Sequence, residues 1–184
     1  MRLETLERDR YYHIYNRGIN GCDIFKNDDN YNYFLKLISK YLTGHINIYA
    51  YCLLSNHYHF VIRVDDDEKI VTQKLSNFFN AYAKAFNKQH NRMSSLFEKH
   101  FKRIKLQSDN YLLNLILYVH TNPVKHNFIE NFENYRYSSY NEIVYANSKI
   151  INSVDVIELF HDLDNFKYVH KYKNEVLSEK FTFE

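Results

Sequence analysis

Two β-prone apolar runs, Ile46 to Leu53 and Tyr58 to Val64, are separated by only a short polar turn. Runs this close pair antiparallel, because a parallel pair needs a crossover of a dozen residues or more. The turn leads into Ser55-Asn56-His57-Tyr58-His59-Phe60-Val61-Ile62. Side chains alternate faces along a strand, so His57 and His59 share one face while Tyr58 and Phe60 share the other. Two imidazoles converging from one strand are a ready pair of ligands for a divalent metal. They are equally the polar residues of a half-buried strand's wetter face.

The rest of the chain supplies a frame for that hairpin. Tyr11 to Arg17 predicts a strand, and Gly18 to Gly21 a turn. Asp28 or Asp29 can cap a helix that carries Tyr33, Phe34, Leu37, Ile38 and Tyr41 on one stripe and stops at Thr43-Gly44. An acidic loop, Asp65 to Glu68, precedes a long helix from Ile70 to Gln89, with Leu75, Phe78, Phe79, Tyr82 and Phe86 at helical spacing. Leu96 to Leu106 predicts a fourth strand. A third helix is expected from Asp109, as N-cap, to Asn122, where Pro123 disfavours helical geometry in the residue before it. Tyr118 and Asn122 then stand one turn apart on one face. Taken singly, Tyr118 reads as a packed tyrosine and Asn122 as a helix cap. Strand, helix, strand, strand, helix, strand, helix is an α+β chain whose first six elements follow the split β-α-β layout: a mostly antiparallel four-stranded sheet with helices on one face.

Five stretches in this order resemble a known family: Tyr12-His13-Ile14-Tyr15-Asn16-Arg17-Gly18 with Ile24-Phe25, Tyr51 to Phe60, Leu96-Phe97-Glu98-Lys99-His100-Phe101-Lys102, Tyr118 to Lys125, and Phe132 to Tyr140. Together they are similar to the REP-associated tyrosine transposases, within the HUH single-strand DNA nucleases and single-tyrosine transposases. The resemblance runs from about residue 11 to about residue 140. Ser55 stands where the family usually carries Pro, and Arg136 precedes the aromatic where many members have Trp; this chain has no Trp.

The resemblance implies a ferredoxin-like palm with an extra helix bearing the nucleophile and lying beside the strand of His57 and His59. It implies that Tyr118 attacks a DNA phosphate and becomes joined to the 5′ phosphate, leaving a 3′ hydroxyl. It implies that His57, His59 and Asn122 hold a divalent metal, Mg or Mn. The substrate implied is single-stranded DNA flanked by a hairpin, and the family admits both a monomer and a homodimer. The domain is expected over residues 1–140, with a partly helical tail over 141–184, one helix near Val154 to His161. Tyr111, one heptad before Tyr118, is the rival nucleophile. His13 and His100 read first as packed or solvated histidines, and second as candidates for assisting roles.

Charge adds the binding surface. Net charge is only +2, but Lys99, Lys102, Arg103 and Lys105 crowd together, with Lys84, Lys88 and Arg92 before them. Arg17, Lys99, Lys102 and Arg103 are the candidate phosphate contacts; an ordinary solvated face fits the same charges. Aromatic residues make up 17% of the chain, enough for some to stack on unpaired bases. The opening Met1-Arg2-Leu3-Glu4 lacks a signal peptide's apolar core, no apolar run reaches the roughly 18 residues of a membrane span, and Cys22 and Cys52 form no Cys-x-x-Cys pair, so a reduced cytoplasmic protein without a membrane partner is expected. Two rival functions use the same residues: a non-catalytic nucleic-acid-binding module of ferredoxin-like fold, and a metal-dependent hydrolase with water as nucleophile.

Overall fold

The computed structural model describes residues 4–172; residues 1–3 and residues 173–184 of the expected tail lie outside the described residues. The sheet is built from β1 (Tyr11–Arg17), β2 (Ile46–Leu53), β3 (His57–Val64) and β4 (Lys102–Lys105) in the order β2-β3-β1-β4, each neighbouring pair antiparallel. That is the split β-α-β arrangement, with α1 (Asp28–Tyr41) and α2 (Glu68–Gln89) packed together on one face. Their seam is aromatic. Phe34 of α1 meets Phe78 and Tyr82 of α2 at centroid distances of 4.8 Å, and Tyr58 and Phe60 from the sheet at 5.5 and 6.0 Å. Such rings supply large apolar area and edge-to-face contacts. Helix α3 (Asp109–Lys125) crosses the opposite face, over β2 and β3.

Local signals were displaced in several places. Asn27, not an aspartate, caps α1 through its side chain on Asn30 N–H, and Tyr33 is exposed, because the stripe that faces the core runs through Asn30, Tyr31, Phe34, Leu37 and Ile38. Ser108 rather than Asp109 caps α3. The fourth strand is only four residues long: Leu96 to Phe101 runs as irregular chain apart from a bridge between Phe97 and Gly18, and His100 takes a left-handed φ of 64°.

Helix α3 also passes through Pro123 instead of ending at Asn122. Proline removes one N–H from the helix, but the turn carrying it is the last one, so little of the ladder is lost. The stop comes at Asn127, whose φ of 57° is left-handed. Asn127 N–H bonds Val124 O at 3.0 Å and Phe128 N–H bonds Pro123 O at 2.8 Å, a Schellman closure.

Beyond residue 140 the chain keeps packing. Residues 137–139 lie along β2, with Leu53 N–H on Tyr137 O and Ser139 N–H on Tyr51 O. Helices α4 (Tyr140–Val144), α5 (Ser153–Leu159) and α6 (Leu163–Tyr172) follow, where one helix was expected. Ile151 bridges Ile48 of β2, and Phe166, Val169 and His170 of α6 are buried against α3. A boundary at residue 140 therefore coincides with no break in packing. No helix among the described residues is long and apolar enough to cross a membrane, and Cys22 and Cys52 are free thiols.

Candidate functional site

The site lies on the sheet face that α3 covers. Strand register places its members: Tyr15 pairs with His59 on one side and Lys102 on the other, and Arg17 pairs with His57. Residues directly opposite in an antiparallel pair share a face, so a row of Lys102, Tyr15 and His59 runs across the sheet beside Arg17 and His57. A cavity of about 590 Å3 opens there, lined by Tyr15, Arg17, His57, His59, Glu98 and Lys102, with His126 and Phe128 from the end of α3.

His57 and His59 share the face but not the surroundings. His57 is half-buried; its Nδ1 meets Asn56 Oδ1 at 2.7 Å, and its Nε2 stands 3.3 Å from Asn122 Oδ1. An amide oxygen only accepts, so Nδ1 carries a proton; in the neutral tautomer Nε2 would turn its lone pair toward a second acceptor, Asn122 Oδ1. Two ligands about 2.1 Å from one ion stand near this separation when cis, so the pair fits a shared cation. Asn122 is fully buried, and its Nδ2 has no hydrogen-bond partner among the described residues, a cost tied to holding Oδ1 toward His57. His59 is buried, with Nδ1 2.9 Å from His13 Nε2. Burial pushes His59 well below the usual histidine range, with His13, His57 and His126 adding repulsion, and burial alone brings His13 down to about 3. Both rings are therefore neutral at neutral pH, the form that binds metal. A second imidazole behind a ligating one fixes its tautomer and aim. No group of three or more His, Cys, Asp or Glu among the described residues is arranged as a metal cage. Two imidazoles and an amide, if they held a metal, would leave coordination positions for phosphate and water.

Tyr118 stands against this pair. Its ring packs edge-on to His59 at 5.7 Å and to His13 at 6.4 Å, with Lys125 Nζ 4.4 Å from its centroid. It is 6% exposed and is not part of the cavity wall. Tyr111 is half-buried about 10 Å up the helix axis.

The four candidate cations separate. Arg17 and Lys102 line the cavity, Arg17 with its Nε on Glu98 Oε1 at 2.6 Å. Lys99 is exposed and lines no part of it. Arg103 follows Lys102 on a strand and so points to the other face, where its guanidinium stacks on Phe101 at 4.6 Å beside a second cavity of about 440 Å3. His100 lines that second cavity too. Sequence reasoning left His13 undecided and passed over Glu98 and His126. Only the β1–β3 register brings His13 to His59, and only the Schellman turn folds His126 back over His57, their rings 4.8 Å apart.

No protein-family model matches the chain. A 106-residue stretch, 53% of this chain, is 30% identical to a Haemophilus influenzae protein named for the REP-associated tyrosine transposases; it covers 60% of that protein, less than two thirds of its length. Among solved structures, a REP-associated tyrosine transposase bound to a REP hairpin matches with a TM-score of 0.62 and 14% identity, over 79% of this chain and 84% of that one. The chain is thus similar to REP-associated tyrosine transposases in sequence over part of its length, and shares their α+β fold.

Proposed function

We propose that this chain is a DNA-processing enzyme of the transposase type: a metal-dependent single-strand endonuclease and strand transferase with Tyr118 as nucleophile. One observation carries the reading. A single face of α3 presents Tyr118 to His59 and Asn122 Oδ1 to His57, beside a cavity walled by Arg17 and Lys102. A nucleic-acid-binding module without chemistry gives no reason for that convergence.

A phenol with a pKa near ~10 is a poor nucleophile at neutral pH. The Lys125 ammonium stands over the Tyr118 ring at 4.4 Å, a cation–π contact. His57, His59 and Asn122 would hold magnesium or manganese, which when bound polarises a non-bridging phosphate oxygen. Arg17 and Lys102 hold the backbone of a single strand flanked by a hairpin; the structural relative is bound to a REP hairpin. The Arg17–Glu98 pair is exposed enough for a phosphate to replace the carboxylate. Tyr118 swings from its packed position, its Oη bonds to phosphorus, and the bond from phosphorus to the 3′ oxygen breaks. The phenol proton leaves to solvent and the departing oxygen takes one up, giving a 5′-phosphotyrosine and a 3′ hydroxyl. The ester is conserved, so another strand's 3′ hydroxyl can attack it and reseal without an external energy source.

The test is a covalent adduct. Hairpin-flanked single strands from a random library are incubated with the protein and Mn, denatured, and the strands that travel with protein are sequenced. Tyr118→Phe is expected to bind these strands and form no adduct, while Tyr111→Phe forms it normally. An adduct on Tyr118→Phe, or none on the unaltered protein, overturns the reading.

A further inference from the structure

On the side of α3 away from the site, a chain of buried polar groups runs from β2 to α6. His120 lies two residues from both Tyr118 and Asn122, about 200° round the helix, so it points to the opposite side. His120 Nδ1 is 2.8 Å from His170 Nε2, and His120 Nε2 is 2.8 Å from Ser139 Oγ. His170 Nδ1 is 2.7 Å from Phe166 O within α6, and Tyr51 N–H donates to Ser139 Oγ at 2.9 Å. His120, His170 and Ser139 are all fully buried.

One proton arrangement satisfies every atom. Phe166 O only accepts, so His170 Nδ1 carries a hydrogen and its Nε2 accepts from His120 Nδ1–H. His120 Nε2 then accepts from Ser139 Oγ–H, the nearer of two acceptors for that hydroxyl, since Tyr51 O stands at 3.3 Å. Three polar side chains in a core cost more than apolar ones of the same shape unless each bond is made. What the polar version adds is direction: it fixes both the roll and the height of the helix that bears it. This helix needs such a fix. Pro123 cannot donate to the turn before it, and Thr121 Oγ bonds back to Leu117 O at 2.8 Å, a pairing that bends helices.

We propose that His120 and His170 are positioning residues: the C-terminal helix α6, through His170, sets the roll of α3 and so aims Tyr118 and Asn122 at His57 and His59. The inference rests on the reading of Tyr118 as nucleophile but is testable apart from it. In the full chain, 3-fluorotyrosine at position 118 gives a 19F line that reports the setting of that ring without any reaction. His170→Phe keeps a ring and removes the acceptor; His170→Gln keeps an acceptor at the end of the side chain. The expected result is one sharp line for the parent protein, a shifted or split line for His170→Phe, and recovery with His170→Gln. Adduct formation should follow the same order, slowed about 100-fold in His170→Phe, as for a reacting group displaced by roughly 1 Å, with strand affinity unchanged. Ser139→Ala breaks the other end of the chain with little change in volume, and should move the line in the same way even if His170→Phe does not fold. An unmoved line in folded His170→Phe or Ser139→Ala, or no recovery with His170→Gln, overturns the proposal. A moved line in a protein that forms no adduct sinks the nuclease reading alone.

Discussion

His57 and His59 leave the same face of β3, yet their loss should differ in kind. His57 is half-buried at the cavity and leans on Asn56 and Asn122; His59 is buried and bonded to His13. Both alanine variants should lose divalent-ion binding by calorimetry. Only His59→Ala should also lose stability, by about 1–3 kcal/mol in urea unfolding, because it leaves a cavity and a buried imidazole without its bond. Equal stability loss in both, or unchanged metal affinity in both, contradicts this placement. Lys102 and Arg103 make a sharper contrast, since adjacent residues of one strand point to opposite faces. Lys102→Ala should flatten the salt dependence of single-strand binding by about 0.7 in slope, one phosphate contact, and Arg103→Ala should leave it unchanged. Equal slopes for the two variants would place the strand elsewhere. The pairing of His57 with His59 was legible from alternation alone. The same alternation on the predicted fourth strand separates Lys102 from Arg103, though their charges alone read as one patch.

Among the elements, the strands and long helices were legible because their periodicity extends over many residues. β1 and β2 appear at the expected bounds, and the apolar stripe of α2 is buried as expected. The errors gather where one residue decides. Pro123 points to an end of α3 at Asn122, whereas the closure depends on Asn127 reaching a left-handed conformation, which no local pattern announces. Asn127→Gly should be neutral or stabilising, and Asn127→Ala should cost about 1 kcal/mol, because an L residue with a Cβ pays to be left-handed. Urea unfolding of the two variants measures it; equal stability would mean that the turn does not close the helix. The assembled site was the least legible part. His13, Glu98 and His126 come to it through register and turn geometry, whereas Tyr118 and Asn122 come through helical spacing, which a sequence displays directly.

Four histidines are buried: His59 at the site with His13 behind it, and His120 with His170 between α3 and α6. Burial lowers each of them, His13 and His170 to about 3 and the other two well below their ordinary value. In the unfolded chain each titrates near ~6.5. The unfolded state therefore binds more protons between pH ~6.5 and the depressed folded values, and unfolding is favoured as pH falls through that window. The stabilisation is fully present above pH ~6.5 and is lost toward acid, at up to about 1.4 kcal/mol per pH unit for each histidine. Glu7, Asp28 and Asp66 are held low by Lys105, Tyr137 and His45 respectively, and protonate only at the acid end of the window. Metal-free protein unfolded in urea at pH 7, 6 and 5 should lose stability steeply across that range. A double variant, His120→Gln with His170→Phe, removes one buried pair and should show about half the slope, even if it starts from lower stability. A flat profile in the parent, or an unchanged slope in the double variant, would mean that these rings are already charged in the folded protein, and the proton arrangement that ties α6 to α3 would have to be abandoned.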